Sequence, residues 1–70
     1  MSNNNSSSIS GNIKKIRKEL GFSQDKLSKL AGVAYNTVVK IESGENGNPT
    51  IDTLRKIASA LNVGVDDLIR

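Results

Sequence analysis

Tyr35, Asn36, Thr37 and Lys40 stand close together in the middle of the chain and offer several kinds of polar chemistry. A helical repeat puts Tyr35, Asn36, Val39 and Lys40 on one side and turns Val38 and Ile41 to the other. The outward set supplies a hydroxyl, a carboxamide that both donates and accepts, and an ammonium. That combination suits non-covalent recognition of a ligand with polar edges and negative charge. Covalent and metal chemistry have no comparable set. The 70 residues include no histidine and no cysteine, so neither a disulfide nor a Cys/His zinc site can form. There is no phosphate-cradling glycine loop, and no carboxylate pair that helical spacing gathers into a pocket. Asp66 and Asp67 read as first-turn residues of a last helix, where negative charge favours the helix dipole. The chain is therefore not expected to be an enzyme, and no metal or cofactor is expected.

The elements that must hold this face are written in the segment from Phe22 to Gly44, FSQDKLSKLAGVAYNTVVKIESG. Ser23 is an N-cap type, Asp25 sits well in the first turn that follows, and Phe22 and Leu27 can form a hydrophobic staple. Leu27, Leu30 and Ala31 are predicted to make this helix's buried stripe, and Gly32 ends it. The next helix is under way three residues later, so the two must meet at a sharp angle. This is the layout of a helix-turn-helix, whose second helix is shaped to enter the major groove of DNA.

The flanking segments also read as helices. The first is predicted to start near Ser8 or Ser10, either of which could cap it, and to run to Leu20. Ile9, Ile13, Ile16 and Leu20 trace one face, Arg17 lies close to that face, and Gly21 supplies the stop. Residues 45–49 form a loop by composition. Thr50 is predicted to cap a fourth helix with the stripe Ile51, Leu54, Ile57, Ala58 and Leu61. Asn62 is a left-handed stop, and Val65 to Ile69 form a short last helix. No stretch alternates with a period of two, so an all-α domain of five helices over residues 9–70 is expected. Residues 1–8, MSNNNSSS, have nothing to bury and no charge, and are expected to be a disordered tail.

Charge is uneven. Residues 11–44 hold seven basic and three acidic side chains, whereas residues 45–70 hold three basic and four acidic ones. A basic half suits a polyanionic partner. With only 3% aromatic residues, stability must come from aliphatic packing. No apolar run approaches the ~20 residues needed to cross a bilayer. No basic-then-apolar leader is present either, so a cytoplasmic place is expected.

The ordered set of residues resembles the phage-repressor-like helix-turn-helix family, of the Cro/repressor or xenobiotic-response-element type. It is carried by Ile13-x-x-Ile16-Arg17, Gly21-Phe22-Ser23-Gln24-x-x-Leu27-Ser28 and Ala31-Gly32-Val33. It continues through Val38-x-x-Ile41-Glu42-x-Gly44, Pro49-Thr50-Ile51-x-Thr53-Leu54, Ile57-Ala58-x-Ala60-Leu61 and Val63-x-Val65-Asp66-Asp67-Leu68. The resemblance implies a lambda-repressor-like fold around a central helix-turn-helix, with helix 34–43 reading DNA. It implies base contacts from Tyr35, Asn36 and Lys40, with Val39 against a thymine methyl. Asn can bond adenine N6 and N7 together, and Lys suits guanine O6 or N7. It assigns phosphate contacts to Ser23, Gln24 and Thr37; in the loop that follows, Asn46 and Asn48 can bond phosphates although the usual cations are missing. Arg17 and Glu42 would form a structural ion pair between helices one and three.

Three positions depart from the family pattern. Ala34 stands where a Ser or Thr cap is common, the loop after Gly44 lacks the usual cations, and Gly64 replaces a cap. The resemblance implies a sequence-specific, double-stranded DNA-binding transcriptional regulator, expected to be a repressor. A single domain reads few base pairs, so a homodimer on a palindromic operator is expected, with Val63, Val65, Leu68 and Ile69 between copies. Leu68 could equally close the core. Other readings are the antitoxin of a toxin–antitoxin pair, for which no extra toxin-binding segment is evident, and the DNA-binding piece of a longer regulator. A pure protein-interaction module fits the basic recognition face less well.

Overall fold

The computed structural model describes residues 8–70, so the predicted tail lies outside the described residues apart from Ser8, where the first helix begins. Five helices follow in order: α1 Ser8–Glu19, α2 Gln24–Ala31, α3 Tyr35–Ser43, α4 Ile51–Leu61 and α5 Val65–Ile69. There is no strand among the described residues. Each boundary has a local cause. The Ser23 hydroxyl accepts from the Lys26 N–H at 2.9 Å, and the Thr50 hydroxyl accepts from the Thr53 N–H at 3.1 Å. Each cap thus satisfies an orphan donor of a first turn. At the other end of α4, Asn62 adopts φ 61°, a left-handed conformation that asparagine tolerates better than most residues.

The core is aliphatic and draws on every helix. Ile13 of α1, Leu27 and Ala31 of α2, Val38 and Ile41 of α3, four residues of α4 and Leu68 of α5 are buried together. The four from α4 are Leu54, Ile57, Ala58 and Leu61. Ile9, Ile16, Phe22, Val33, Ala60, Val63 and Val65 pack around them, partly covered. Ser28 on α2 is buried, and its hydroxyl donates back to the Asp25 carbonyl at 2.7 Å.

Four apolar assignments need correction. Leu20, Leu30 and Ile51 belong to predicted buried stripes but are 46%, 50% and 56% exposed. Leu20 falls beyond the end of α1, Ile51 is the first residue of α4, and Leu30 lies at the margin of the α2 stripe, so neighbouring helices do not reach them. Leu68 is fully buried, so its side chain closes the core and has no area left for a second copy.

Candidate nucleic-acid interface

The two central helices are set by a glycine turn. Gly32 takes φ +70°, a region closed to most side chains, and its N–H bonds back to the carbonyls of Ser28 and Lys29. Val33 then bonds to the Ser28 carbonyl at 3.1 Å, and α3 begins two residues later. On α3, Val38, Ile41 and Glu42 are buried while Tyr35, Asn36 and Lys40 are exposed; Thr37 and Val39 lie half-buried between the two sides. The predicted recognition face is therefore free, on a helix whose opposite face is locked.

The lock is the pair Arg17–Glu42. Arg17 Nε donates to Glu42 Oε2 at 2.6 Å and Nη2 to Oε1 at 2.9 Å, a two-pronged arrangement with both side chains almost wholly covered. The third prong, Nη1, donates to the Phe22 carbonyl at 2.7 Å, which ties the start of the α2 turn to the same guanidinium. Hydrogen bonding to Glu42 raises the already high pKa of Arg17, and burial opposes this without reversing it. A raised pKa means stability present at every lower pH and lost only above the ordinary arginine range, so the guanidinium stays charged wherever the protein works.

Gln24 completes the network. Its amide donates from Nε2 to Glu42 Oε1 at 3.1 Å, so the first residue of α2 is fastened to α3. One amide hydrogen remains for a ligand, and the residue is half-buried rather than free. Ser23 is exposed, and with its oxygen accepting the cap bond its own hydroxyl hydrogen remains to donate.

After α3 the loop folds on itself. The Asn46 N–H bonds to the Lys40 carbonyl at 3.0 Å, and the Asn48 N–H bonds to Asn46 Oδ1 at 3.2 Å. This leaves the Asn46 amide hydrogens and the exposed Asn48 side chain as donors beside the C-terminal end of α3. Lys40 has no acidic partner among the described residues, and neither do Lys14, Lys15, Lys18, Lys26 and Arg55.

Two supporting residues escaped the sequence reading. The Ser10 hydroxyl, instead of capping α1, donates to the Glu42 carbonyl at 2.6 Å and so satisfies an orphan acceptor near the end of α3. The Asn12 amide donates to the Leu68 carbonyl at 3.0 Å and ties α1 to α5. A clue was available, since Ser and Asn are poor interior helix residues and both border the apolar face of α1. Ala34 does stand uncapped, with no side-chain bond at the start of α3. At Gly64 the missing cap is half replaced, because Asp67 Oδ2 accepts from the Gly64 N–H at 3.0 Å.

Five short helices around a glycine-set α2–α3 corner define a helix-turn-helix domain of the phage-repressor type. The helix-turn-helix family model matches residues 13–68, and the chain belongs to that family. The transcriptional regulator SinR of Bacillus subtilis is 39% identical over 61 residues, 87% of this chain and 55% of SinR. The phage CTXphi transcriptional repressor RstR of Vibrio cholerae is 38% identical over 52 residues, 74% of this chain and 46% of RstR. The chain thus spans about half the length of these curated relatives. Among solved structures, SinR, the master regulator for biofilm formation, in complex with DNA superposes with TM-score 0.86 at 39% identity. That match covers 89% of this chain and 98% of the SinR chain. The restriction-modification controller C.AhdI of Aeromonas hydrophila gives 0.84 at 25% identity, covering 90% and 94%.

Proposed function

We propose that this chain is a sequence-specific, double-stranded DNA-binding transcriptional regulator that lays α3 in the major groove. The observation that carries this is the division of α3 into a locked face, Val38, Ile41 and Glu42, and a free polar face, Tyr35, Asn36 and Lys40. In this reading Asn36 and Lys40 read base edges, Tyr35 packs on a thymine methyl or bonds a phosphate, and Val39 lies against a methyl group at the rim. Ser23, Gln24, Thr37, Asn46 and Asn48 position the domain on phosphates. A relative solved on DNA supports the partner, and a relative named as a repressor supports the direction of regulation.

The domain works as a pair on an inverted repeat, with half-sites about 34 Å apart, one helical turn. Ile69, half exposed, with the partly covered Val63 and Val65, supplies the apolar area between copies. Its place is the cytoplasm, with the DNA. No described helix is long and apolar enough to cross a membrane.

Selecting bound sites from random duplexes tests the whole reading, and a symmetric consensus is the expected result. Gln24→Ala should weaken binding to all sequences alike, read by titration on selected and unrelated duplexes. A loss confined to the selected site would contradict its positioning role.

A further inference from the structure

We propose that Asn46 is a self-modification site, converted without an enzyme to aspartate or isoaspartate, which places a new negative charge in the loop between α3 and α4. Asn46–Gly47 is the sole Asn–Gly pair in the chain. The reaction needs the backbone nitrogen after an asparagine to reach that asparagine's Cγ. Gly47 has no side chain to shield its nitrogen, and the position has room for a methyl, since an added Cβ would meet nothing nearer than the Gly44 carbonyl at 3.9 Å. Among the described residues the Gly47 N–H makes no hydrogen bond.

The other asparagines of the domain lack this freedom. After Asn36 the Thr37 N–H is bonded to the Ala34 carbonyl, and after Asn62 the Val63 N–H is bonded to the Ala58 carbonyl at 3.0 Å. After Asn12 the chain continues inside α1, and Asn48 precedes Pro49, which has no N–H.

The loop also favours the electronic course of the reaction. As the deprotonated Gly47 nitrogen bonds to Asn46 Cγ, negative charge builds on Oδ1. The Asn48 N–H already donates to that oxygen at 3.2 Å, and a donor aimed at a developing oxyanion lowers the barrier. The Cγ–Nδ2 bond then breaks, and ammonia leaves with the proton given up by Gly47. Water opens the resulting five-membered imide at either carbonyl, giving aspartate or, with the backbone lengthened by a methylene, isoaspartate.

The product carries a carboxylate where donors stood. It lies at the C-terminal end of α3, already the negative pole of that helix, through the bond from the Asn46 N–H to the Lys40 carbonyl. The effect on DNA rests on the function proposed above. A carboxylate there repels phosphate, so the protein would lose affinity with age.

The folded chain, held in neutral buffer, is expected to release ammonia and to gain the mass of an amide-to-acid exchange, mapped to position 46 by proteolysis and tandem mass spectrometry. Gly47→Ala adds a methyl beside the attacking nitrogen and should slow conversion by about tenfold, while the freshly purified variant binds DNA as the parent does. Asn46→Asp, standing in for the product, should bind a selected duplex about tenfold more weakly. If position 46 stays amidated in the folded chain while the urea-unfolded chain converts, the proposal is overturned. Conversion at 46 combined with parental affinity of Asn46→Asp would overturn the regulatory consequence. A parent that binds no DNA would sink the functional reading instead, because the mass measurement does not use DNA.

Discussion

Helices α2 and α3 are nearly equal in length, at 8 and 9 residues, yet they are held in place by opposite means. Both end on a left-handed glycine, Gly32 and Gly44, but the first turn of α2 is stabilised by its own neighbours in sequence: the Ser23 cap, and Asp25 with its exposed partner Lys29. α3 has no side-chain cap and no acid in its first turn. It is held from outside, by Arg17 and Gln24 on the Glu42 carboxylate and by Ser10 on the Glu42 carbonyl. Local signals make α2 a helix, whereas long-range bonds fix where α3 points. The arrangement suits a scaffold and a reader. Anchoring α3 through one buried residue near its C-terminal end leaves its first turn bare, and that turn carries Tyr35 and Asn36.

The comparison is most severely broken at Glu42. Glu42→Ala leaves Arg17 buried without its carboxylate and should cost about 3–5 kcal/mol, read by urea denaturation. Total stability for such a domain is about 5–15 kcal/mol, so this variant would be close to unfolding. A loss below ~1 kcal/mol would mean α3 does not depend on the pair as described.

The outward face sharpens the contrast from the other side. Asn36→Ala and Lys40→Ala should each cost about 1–3 kcal/mol of binding to a selected duplex and relax preference at one base position. Thermal stability should hardly change, because both side chains are exposed. Unchanged sequence preference in both would remove them from the reading set.

The smallest effects lie at the caps and have opposite signs. Ser23→Ala should destabilise by about 1 kcal/mol, whereas Ala34→Ser, by adding the missing cap, should stabilise by a similar or smaller amount. Paired melting curves would show it. If Ala34→Ser also weakens DNA binding, the bare first turn of α3 is part of the contact surface.

Much of this was legible in the sequence because the signals were local. Ser23, Gly32, Thr50 and Asn62 mark helix ends through bonds spanning three or four positions, and all four act where the sequence put them. The two faces of α3 followed from periodicity alone. What periodicity could not supply was the reach of neighbouring helices. Leu30 and Ile51 have the right residue type for a core, and only the tertiary arrangement leaves them uncovered. Leu68 stood open between the core and a second copy, and the short α5 turns it fully inward. For Ser10 and Asn12 the residue types hinted at a role but could not name the partners, which lie 32 and 56 positions away.

The bond from Asn12 to the Leu68 carbonyl has a kinetic meaning as well. It joins the two ends of the domain and can form only after the intervening chain has been gathered in, which makes it a late step with a large loop-closure entropy. The α2–α3 corner, built from near neighbours, needs no such closure. On unfolding, α1 and α5 should therefore open together, so that amide exchange at both ends reports a single event, and α3 loses its Arg17 and Ser10 anchors in the same step.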